Sequence, residues 1–334
     1  MKRSALLAAL LLPWLLLACG GDDGPSPDRG PTTIALGADP NGACWDATEG
    51  KLYLTDDVTN AIVAWDGEGT TTFTNFVALP ALVPPATPTQ VSLGQLARLA
   101  DKTFYVTRFG FGNAGTVIEI SPAKVARNLT GLDATRRRIA MAGNTTGELL
   151  DSWFTTPPSP GPATTNGNVS LLTVNPDGSA AERELVTGLS KPVGAGVVGR
   201  TLYVSDQATG KLLSFALDTV LATPATAAQG TTVATFTTNL VGSDPASLTA
   251  DNIDLLTATA DGTLFFGGRG GKLFRVNGTT GAVTTLAALN TDADPGRLQV
   301  RGVAYDAANR RLFVAVHSTD TTKAGNALRI VPID

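Results

Sequence analysis

The side chains able to do acid–base or nucleophilic chemistry are few. The chain has one histidine, His317, in the run His317-Ser318-Thr319-Asp320, and two cysteines, Cys19 and Cys44. A base beside a hydroxyl or a carboxylate would begin a catalytic constellation. Adjacent residues at a strand end point apart, however, and the Gly-x-Ser-x-Gly nucleophile turn does not occur. His317 therefore reads as a rim residue in the loop after a strand Leu312 to Val316. Cys44 lies beside Trp45 with no histidine near it in sequence, which suits a small buried hydrophobe better than a reactive thiol. Gly267-Gly268-Arg269-Gly270-Gly271 opens no helix, so it is a hairpin turn and not a phosphate cradle. Asp56, Asp57 and Asp206 fall in turns, where they cap the backbone; the spacing of a calcium-binding loop is absent. Arg136, Arg137 and Arg138 form a basic run read as a solvated strand start. The stretch Arg108-Phe109-Gly110-Phe111-Gly112 places two aromatics among glycines, either propped inside a closing loop or presented to a ligand. Arg108, Phe109, Phe111 and His317 are the candidate rim residues.

What must position these side chains is read from periodicity. In Asn41 to Gly69, Leu52 and Leu54, then Ile62 and Ala64, alternate with Tyr53, Thr55, Val63 and Trp65, a period of two over short runs of β-formers. Turns at Gly50-Lys51, Asp56 to Asn60 and Asp66-Gly67 divide the segment into four antiparallel strands: Cys44-Trp45, Leu52 to Thr55, Ala61 to Trp65 and Thr70 to Phe76. Aromatic-bearing second strands recur at Leu52-Tyr53, Phe104-Tyr105, Trp153-Phe154, Leu202-Tyr203, Leu264-Phe265 and Leu312-Phe313. Third strands recur at Thr116 to Ile120, Val169 to Val174, Lys211 to Ala216, Lys272 to Val276 and Ala327 to Val331. A four-stranded sheet cannot bury both faces alone, and radial repetition solves this. The expectation is an all-β, six-bladed β-propeller over residues 32–334. Pro80 to Pro88, Pro157 to Pro162 and Val220 to Thr232 are expected as loops. The last unit supplies three strands, and Thr32 to Leu36 is expected to complete it by pairing with Ala327 to Ile333.

With 334 residues, 43% hydrophobic and 16% charged, the chain is large enough for a sizeable core, and its 36 glycines and 20 prolines suit many short strands joined by turns. Its net charge of -4 offers no field for a nucleic-acid backbone. Lys2 and Arg3 followed by an apolar run from Ala5 to Ala18 fit a secretory signal, too short for a good spanning helix. The run ends Leu16-Leu17-Ala18-Cys19, which resembles the bacterial lipobox. That resemblance implies a signal peptide over 1–18, lipidation of Cys19, and a polar tether over 19–31, with delivery to the outer membrane expected because Gly20 and Gly21 precede Asp22. The lipid would be the only membrane contact. Only Cys44 remains beyond Cys19, so no intrachain disulfide holds the domain.

NGACWDATEGKLYLTDDVTNAIVAWD, GLSKPVGAGVVGRTLYVSDQATGKLLSF and VRGVAYDAANRRLFVAV resemble blades of the regucalcin/gluconolactonase group and of the NHL-repeat propellers. The gluconolactonase resemblance implies one divalent cation, calcium for example, at the top of the channel, held by a Glu, Asn residues and an Asp. Matched by motif, the family's Glu is here Asn41, its Asn in the fourth unit is Val193, and its Asp is kept as Asp254. Arg301 begins the sixth unit's inner strand, where pairing with Asp254 would satisfy both charges. The candidate channel residues are Asn41, Gln95, Val193, Asp254 and Arg301. No cofactor is expected, and a monomeric, non-catalytic binding propeller engaging a protein, peptide or glycan is the preferred reading. The alternative is a metal-dependent lactonase with an altered ligand set.

Overall fold

The computed structural model describes residues 31–67, 70–81, 92–110, 115–144, 146–155, 165–240, 249–291, 296–320, 322 and 324–333. Six antiparallel sheets follow one another along the chain. After β1 (Thr32–Ala35), the first blade is β2 (Pro40–Asp46), β3 (Lys51–Asp56), β4 (Ala61–Trp65) and β5 (Thr74–Ala78). The second is β6 (Ser92–Arg98), β7 (Phe104–Phe109), β8 (Thr116–Ile120) and β9 (Ala126–Asn128). The third is β10 (Arg136–Gly143), β11 (Leu149–Thr155), β12 (Gly167–Val174) and β13 (Ala180–Leu189); the two-residue β17 (Ala225–Thr226) adds to its edge in parallel. The fourth is β14 (Pro192–Val198), β15 (Thr201–Asp206), β16 (Lys211–Ala216) and β18 (Thr231–Thr235), and the fifth is β19 (Ile253–Ala258), β20 (Thr263–Gly268), β21 (Lys272–Asn277) and β22 (Val283–Ala288). In the sixth, β23 (Leu298–Asp306), β24 (Arg311–Ser318) and β25 (Ala327–Pro332) are joined by β1 as the outer strand. The six inner strands β2, β6, β10, β14, β19 and β23 each pack on the next, and β23 packs on β2, so they form a ring.

The core is divided as this geometry requires, into clusters shared by neighbouring blades. Tyr53 and Ile62 of the first blade pack with Phe104 and Ile118 of the second; Leu52 and Trp65 use the other face of the first blade to meet Phe313 and Leu328 of the sixth. Alternating side chains thus bury both faces of a sheet, which no single blade could do. The recurring second-strand aromatics sit in these seams, Tyr53 and Phe104 with centroids 4.8 Å apart, and Phe313 with its centroid 5.6 Å from that of Trp65 on the first blade's third strand.

Two expectations are corrected. The first blade's outer strand begins at Thr74 and not at Thr70, because Thr70 gives its carbonyl to the Trp65 indole at 3.0 Å and its side chain to the Thr72 backbone. Residues 220–232, expected as loop, hold the end of a helix α1 (Leu217–Ala222), which buries Leu217 and Val220. They also hold a turn of 3₁₀ helix (Ala227–Gln229) closed by a capping box between Thr226 and Gln229, and the start of β18. Pro157 to Pro162 and residues 82–88 of the other Pro-rich stretch lie outside the described residues.

Strand β1 runs antiparallel to β25, with Thr33 opposite Arg329 and Ile34 opposite Leu328. Ile34 and Leu36 are 6% and 7% exposed and belong to the seam between the sixth and first blades. Burying two such side chains is worth roughly 3–6 kcal/mol, so deleting residues 20–36 should lower the melting temperature by about 10 °C, whereas deleting 20–30 should leave it within about 2 °C of the intact chain. Equal melting of the two truncations would show that β1 contributes nothing to the ring.

Candidate functional site

Every inner strand breaks register with its neighbour at the same height. The shifts fall between Pro40 and Ala43, Leu93 and Leu96, Arg138 and Met141, Pro192 and Gly194, Ile253 and Leu256, and Val300 and Val303. An extra residue in one strand re-aims the side chains on either side of it. Asn41, Gln95, Val193, Asp254 and Arg301 all lie within these shifts, at the axis of the ring. Hydroxyls from the second strands pin the inner strands of the next blade there: Thr107 donates to the Ile139 carbonyl at 2.6 Å, Ser152 to that of Pro192 at 2.9 Å and Ser205 to that of Asp254 at 3.0 Å. The inner strands come so close that a Cβ on Gly302 would stand 2.5 Å from the Asn41 carbonyl oxygen, and one on Gly94 2.5 Å from that of Ile139.

The five channel candidates have distinct fates. Asn41 is 7% exposed and donates its amide to the Leu93 carbonyl at 2.6 Å. Gln95 crosses the axis, donating to the Leu256 carbonyl of the fifth blade at 2.9 Å and accepting from the Met141 backbone at 3.3 Å. Val193 packs in an apolar cluster with Ile139, Phe154 and Leu255, against which Phe109 lies. Asp254 pairs with the Arg301 guanidinium at 3.2 Å and accepts from the Leu255 backbone at 3.1 Å.

At this mouth, where inner strands begin and second strands end, the sequence reading missed two cations. Lys191, one residue before β14, donates to Gln207 at 2.7 Å, and Gln207 donates to the Asn252 and Ile253 carbonyls. Arg269 follows β20 in the glycine-rich turn, half-buried, with no side-chain hydrogen bond or ion pair among the described residues. Arg137 stands opposite Phe154 in the β10–β11 pairing, its guanidinium 4.7 Å from the Phe109 centroid and 5.9 Å from that of Phe154. Burial pushes Lys191 down to about 7; the charge of Arg269 adds to the effect, Asp254 opposes it, and Arg137 and Arg301 deepen it. Burial first, then Arg269, also lowers Arg137. The one signal for Lys191 was its place directly before the Pro-Val-Gly motif, whereas Arg269 looked like part of a turn.

The rim candidates divide. Arg108 is 2% exposed, its guanidinium donating to Asn60 and to the Pro80 carbonyl at 2.7 Å each, so it is a buried brace and not a rim residue. Phe111 lies outside the described residues, as does Cys19. His317 is within β24, opposite Gln299, and its Nδ1 hydrogen-bonds Asp39, not Ser318 or Asp320. The basic run is not a solvated strand start. Arg138 is fully buried on Glu182 with Asp151 at 3.6 Å, and Arg136 pairs with Glu182 and Glu184 over the Trp153 ring. Burial, with Glu182 beside it, pushes Asp151 well above the usual carboxylate range. Cys44 packs against the seam between the first two blades, and burial pushes its thiol up to about 11.

Among the described residues no three His, Cys, Asp or Glu side chains gather as a metal-binding group. The donors at the axis do not fit the cation that the gluconolactonase resemblance implies. The Val193 side chain offers no lone pair, and the surviving carboxylate faces a guanidinium. A cleft of about 460 Å³ between the fifth and sixth blades, lined by residues including Asp261, Arg275 and Tyr305, opens at the opposite ends of the strands.

Solved structures share the architecture. A luciferin-regenerating enzyme superposes with a TM-score of 0.61 at 15% identity, covering 91% of this chain and 96% of its own. Regucalcin from Agrobacterium tumefaciens gives 0.57 at 15% identity over 90% of each chain. A gluconolactonase from Xanthomonas campestris gives 0.59 at 15% identity, over 91% of this chain and 89% of its own. The likeness establishes the six-bladed propeller fold. No family model matches the sequence, and no curated protein matches it.

Asp57 accepts from the Leu93 backbone at 2.6 Å and from Ser92, tying the first blade to the second at this mouth. Burial pushes its carboxyl up to about 6, aided by Asp39, while those hydrogen bonds and Arg301 oppose the shift. The folded chain therefore holds this proton more tightly than the unfolded one. Between pH 3.8 and about 6 stability falls as the pH rises, and the full penalty persists above. Asp57→Asn keeps the acceptor for Leu93 and should be more stable than wild type at pH 8, with a flatter dependence between pH 4 and 6 in urea unfolding. An unchanged slope would place the titration elsewhere.

Proposed function

We propose that the chain is a non-catalytic binding propeller of the bacterial cell envelope, tethered by lipid at Cys19, and that it engages a protein, peptide or glycan ligand at the mouth ringed by Arg137, Lys191, Arg269 and Arg301. One observation carries the reading. At the axis the Arg301 guanidinium occupies the carboxylate of Asp254, and Val193 is part of an apolar cluster, so the position that a hard cation would need is positively charged and poor in donors. Lactone hydrolysis through a polarising metal finds no support in such a set. A rigid ring with loops converging on one mouth is well suited to recognition. The regucalcin and gluconolactonase neighbours bear on the scaffold and not on the activity, because one fold carries many functions.

Two measurements test the two halves of this proposal. The purified protein, supplied with gluconolactone and with calcium, manganese or zinc in turn, is expected to give no hydrolysis above the protein-free rate; calcium-dependent turnover would establish the hydrolase instead. Cys19→Ser is expected to remain unprocessed, whereas the wild-type protein fractionates with membranes. Recovery of the wild type wholly in the soluble periplasmic fraction would sink the anchor.

A further inference from the structure

The mouth carries more positive charge than its own structure consumes. Arg301 has Asp254 at 3.2 Å, and Lys191 has only the neutral Gln207 carbonyl at 2.7 Å. Arg269 has no side-chain hydrogen bond or ion pair among the described residues. Three cations from three consecutive blades thus have one carboxylate in direct contact among the described residues. Like charges held together in a partly dry basin repel one another, and the ordinary remedies are neutralisation or a counter-ion. Away from the axis several buried cations are paired closely with carboxylates, whereas Arg108 has the neutral Asn60 and Pro80 oxygens. Arg138 has Glu182 and Asp151, Arg136 has Glu182 and Glu184, and Arg311 has Asp306 at 2.9 Å.

We propose that this basin binds an organic oxyanion, a carboxylate or phosphate group seated among Lys191, Arg269 and Arg301, with the adjoining part of the ligand lying against Phe109. The inference rests on the reading of the mouth as a binding surface and names the chemistry that it takes. The three cations approach from different sides, Lys191 from the start of the fourth blade's inner strand, Arg269 from the second strand of the fifth, and Arg301 from the inner strand of the sixth. Two guanidiniums and an ammonium so placed can each donate to a separate oxygen. Arg137, stacked by Phe109 and Phe154, flanks the basin and extends the positive field without needing to touch the anion. The depressed affinity of Lys191 for its proton agrees with this arrangement, because a bound anion would restore the charge that Arg269 and burial now disfavour. Asp39 and Asp57 stand toward the first blade, where Asp39 meets His317 and Asp57 meets Ser92, so the acidic side of the mouth is engaged by its own partners. Asp254 remains inside the basin, and its charge limits the affinity.

The probes are sulfate, whose charge is constant near neutral pH, and galacturonate, with galactose as its neutral counterpart. They are titrated calorimetrically into the purified full chain at low ionic strength, where exposed charges are least screened. Saturable binding of at least one anion is expected, with none of galactose. Arg269→Gln and Lys191→Met should each weaken that binding at least fivefold, while Arg275→Gln, in the cleft at the opposite ends of the strands, should leave it unchanged. Asp254→Asn should strengthen it. Binding of sulfate marks a site for free oxyanions, and binding of galacturonate alone marks a sugar acid. No saturable binding of either anion, equal binding of galactose, or a loss smaller than fivefold in both Arg269→Gln and Lys191→Met overturns the proposal. The Arg269 side chain makes no hydrogen bond or ion pair among the described residues and its backbone bond to Asn252 is kept, so its variant should fold, and unchanged circular dichroism and melting verify this. Metal-dependent lactone hydrolysis would overturn the underlying reading of the mouth, whereas absent anion binding without hydrolysis would overturn this inference alone.

Discussion

Close approach of the inner strands is the constraint on which the remaining structure depends. At the height where Gly302 faces the Asn41 carbonyl and Gly94 faces that of Ile139, there is no room for a Cβ. The strands there cannot keep a regular ladder with their own blades and also touch the next blade. Each gives up register instead, and Thr107, Ser152 and Ser205 recover the lost backbone bonding from the neighbouring sheet. Buried acceptors are thereby satisfied across the seams. The side chains at the axis are consequences of this packing, because a bulge aims them where a flat strand would not.

The fold was legible because its signals are local and repeated. Alternation in Leu52 to Trp65, aromatics at Tyr53, Tyr105, Tyr203 and Phe313, and turn residues between them each follow from the short-range geometry of a strand. The structure places these side chains in the seams between blades. What escaped was set by tertiary context. Arg136 and Arg138 alternate with Arg137, yet nothing in the triplet says that two of them meet Glu182, more than forty residues away, while the third faces the axis. Arg108 looked accessible because glycines follow it, and only the fold brings Asn60 and the Pro80 carbonyl to its guanidinium. The helix from Leu217 was masked by a composition rich in alanine and threonine, which reads as a connection until Leu217 and Val220 find a surface to bury against.

The candidate site was legible by position and only partly by content. Motif matching located Asn41, Val193, Asp254 and Arg301, and the Asp254–Arg301 pair follows from two opposite charges at the starts of adjacent inner strands. Lys191 and Arg269 could not be ranked from sequence, since a lysine before a proline and an arginine between glycines are ordinary turn residues. Their importance comes from the ring, which turns separations of tens of residues into neighbouring blades. Electrostatics in such a basin are collective: each cation raises the cost of the next, and burial removes the water that would otherwise screen them.

Gln95 gives the channel a direction. Its amide spans from the second blade to the carbonyl of Leu256 in the fifth, and the apolar cluster of Ile139, Val193 and Leu255 lies beside it. A solute descending the axis therefore has the Gln95 side chain in its path. Whatever enters at the charged mouth meets this side chain before it can reach the far face of the ring. A partner that settles in front of that mouth would control entry there.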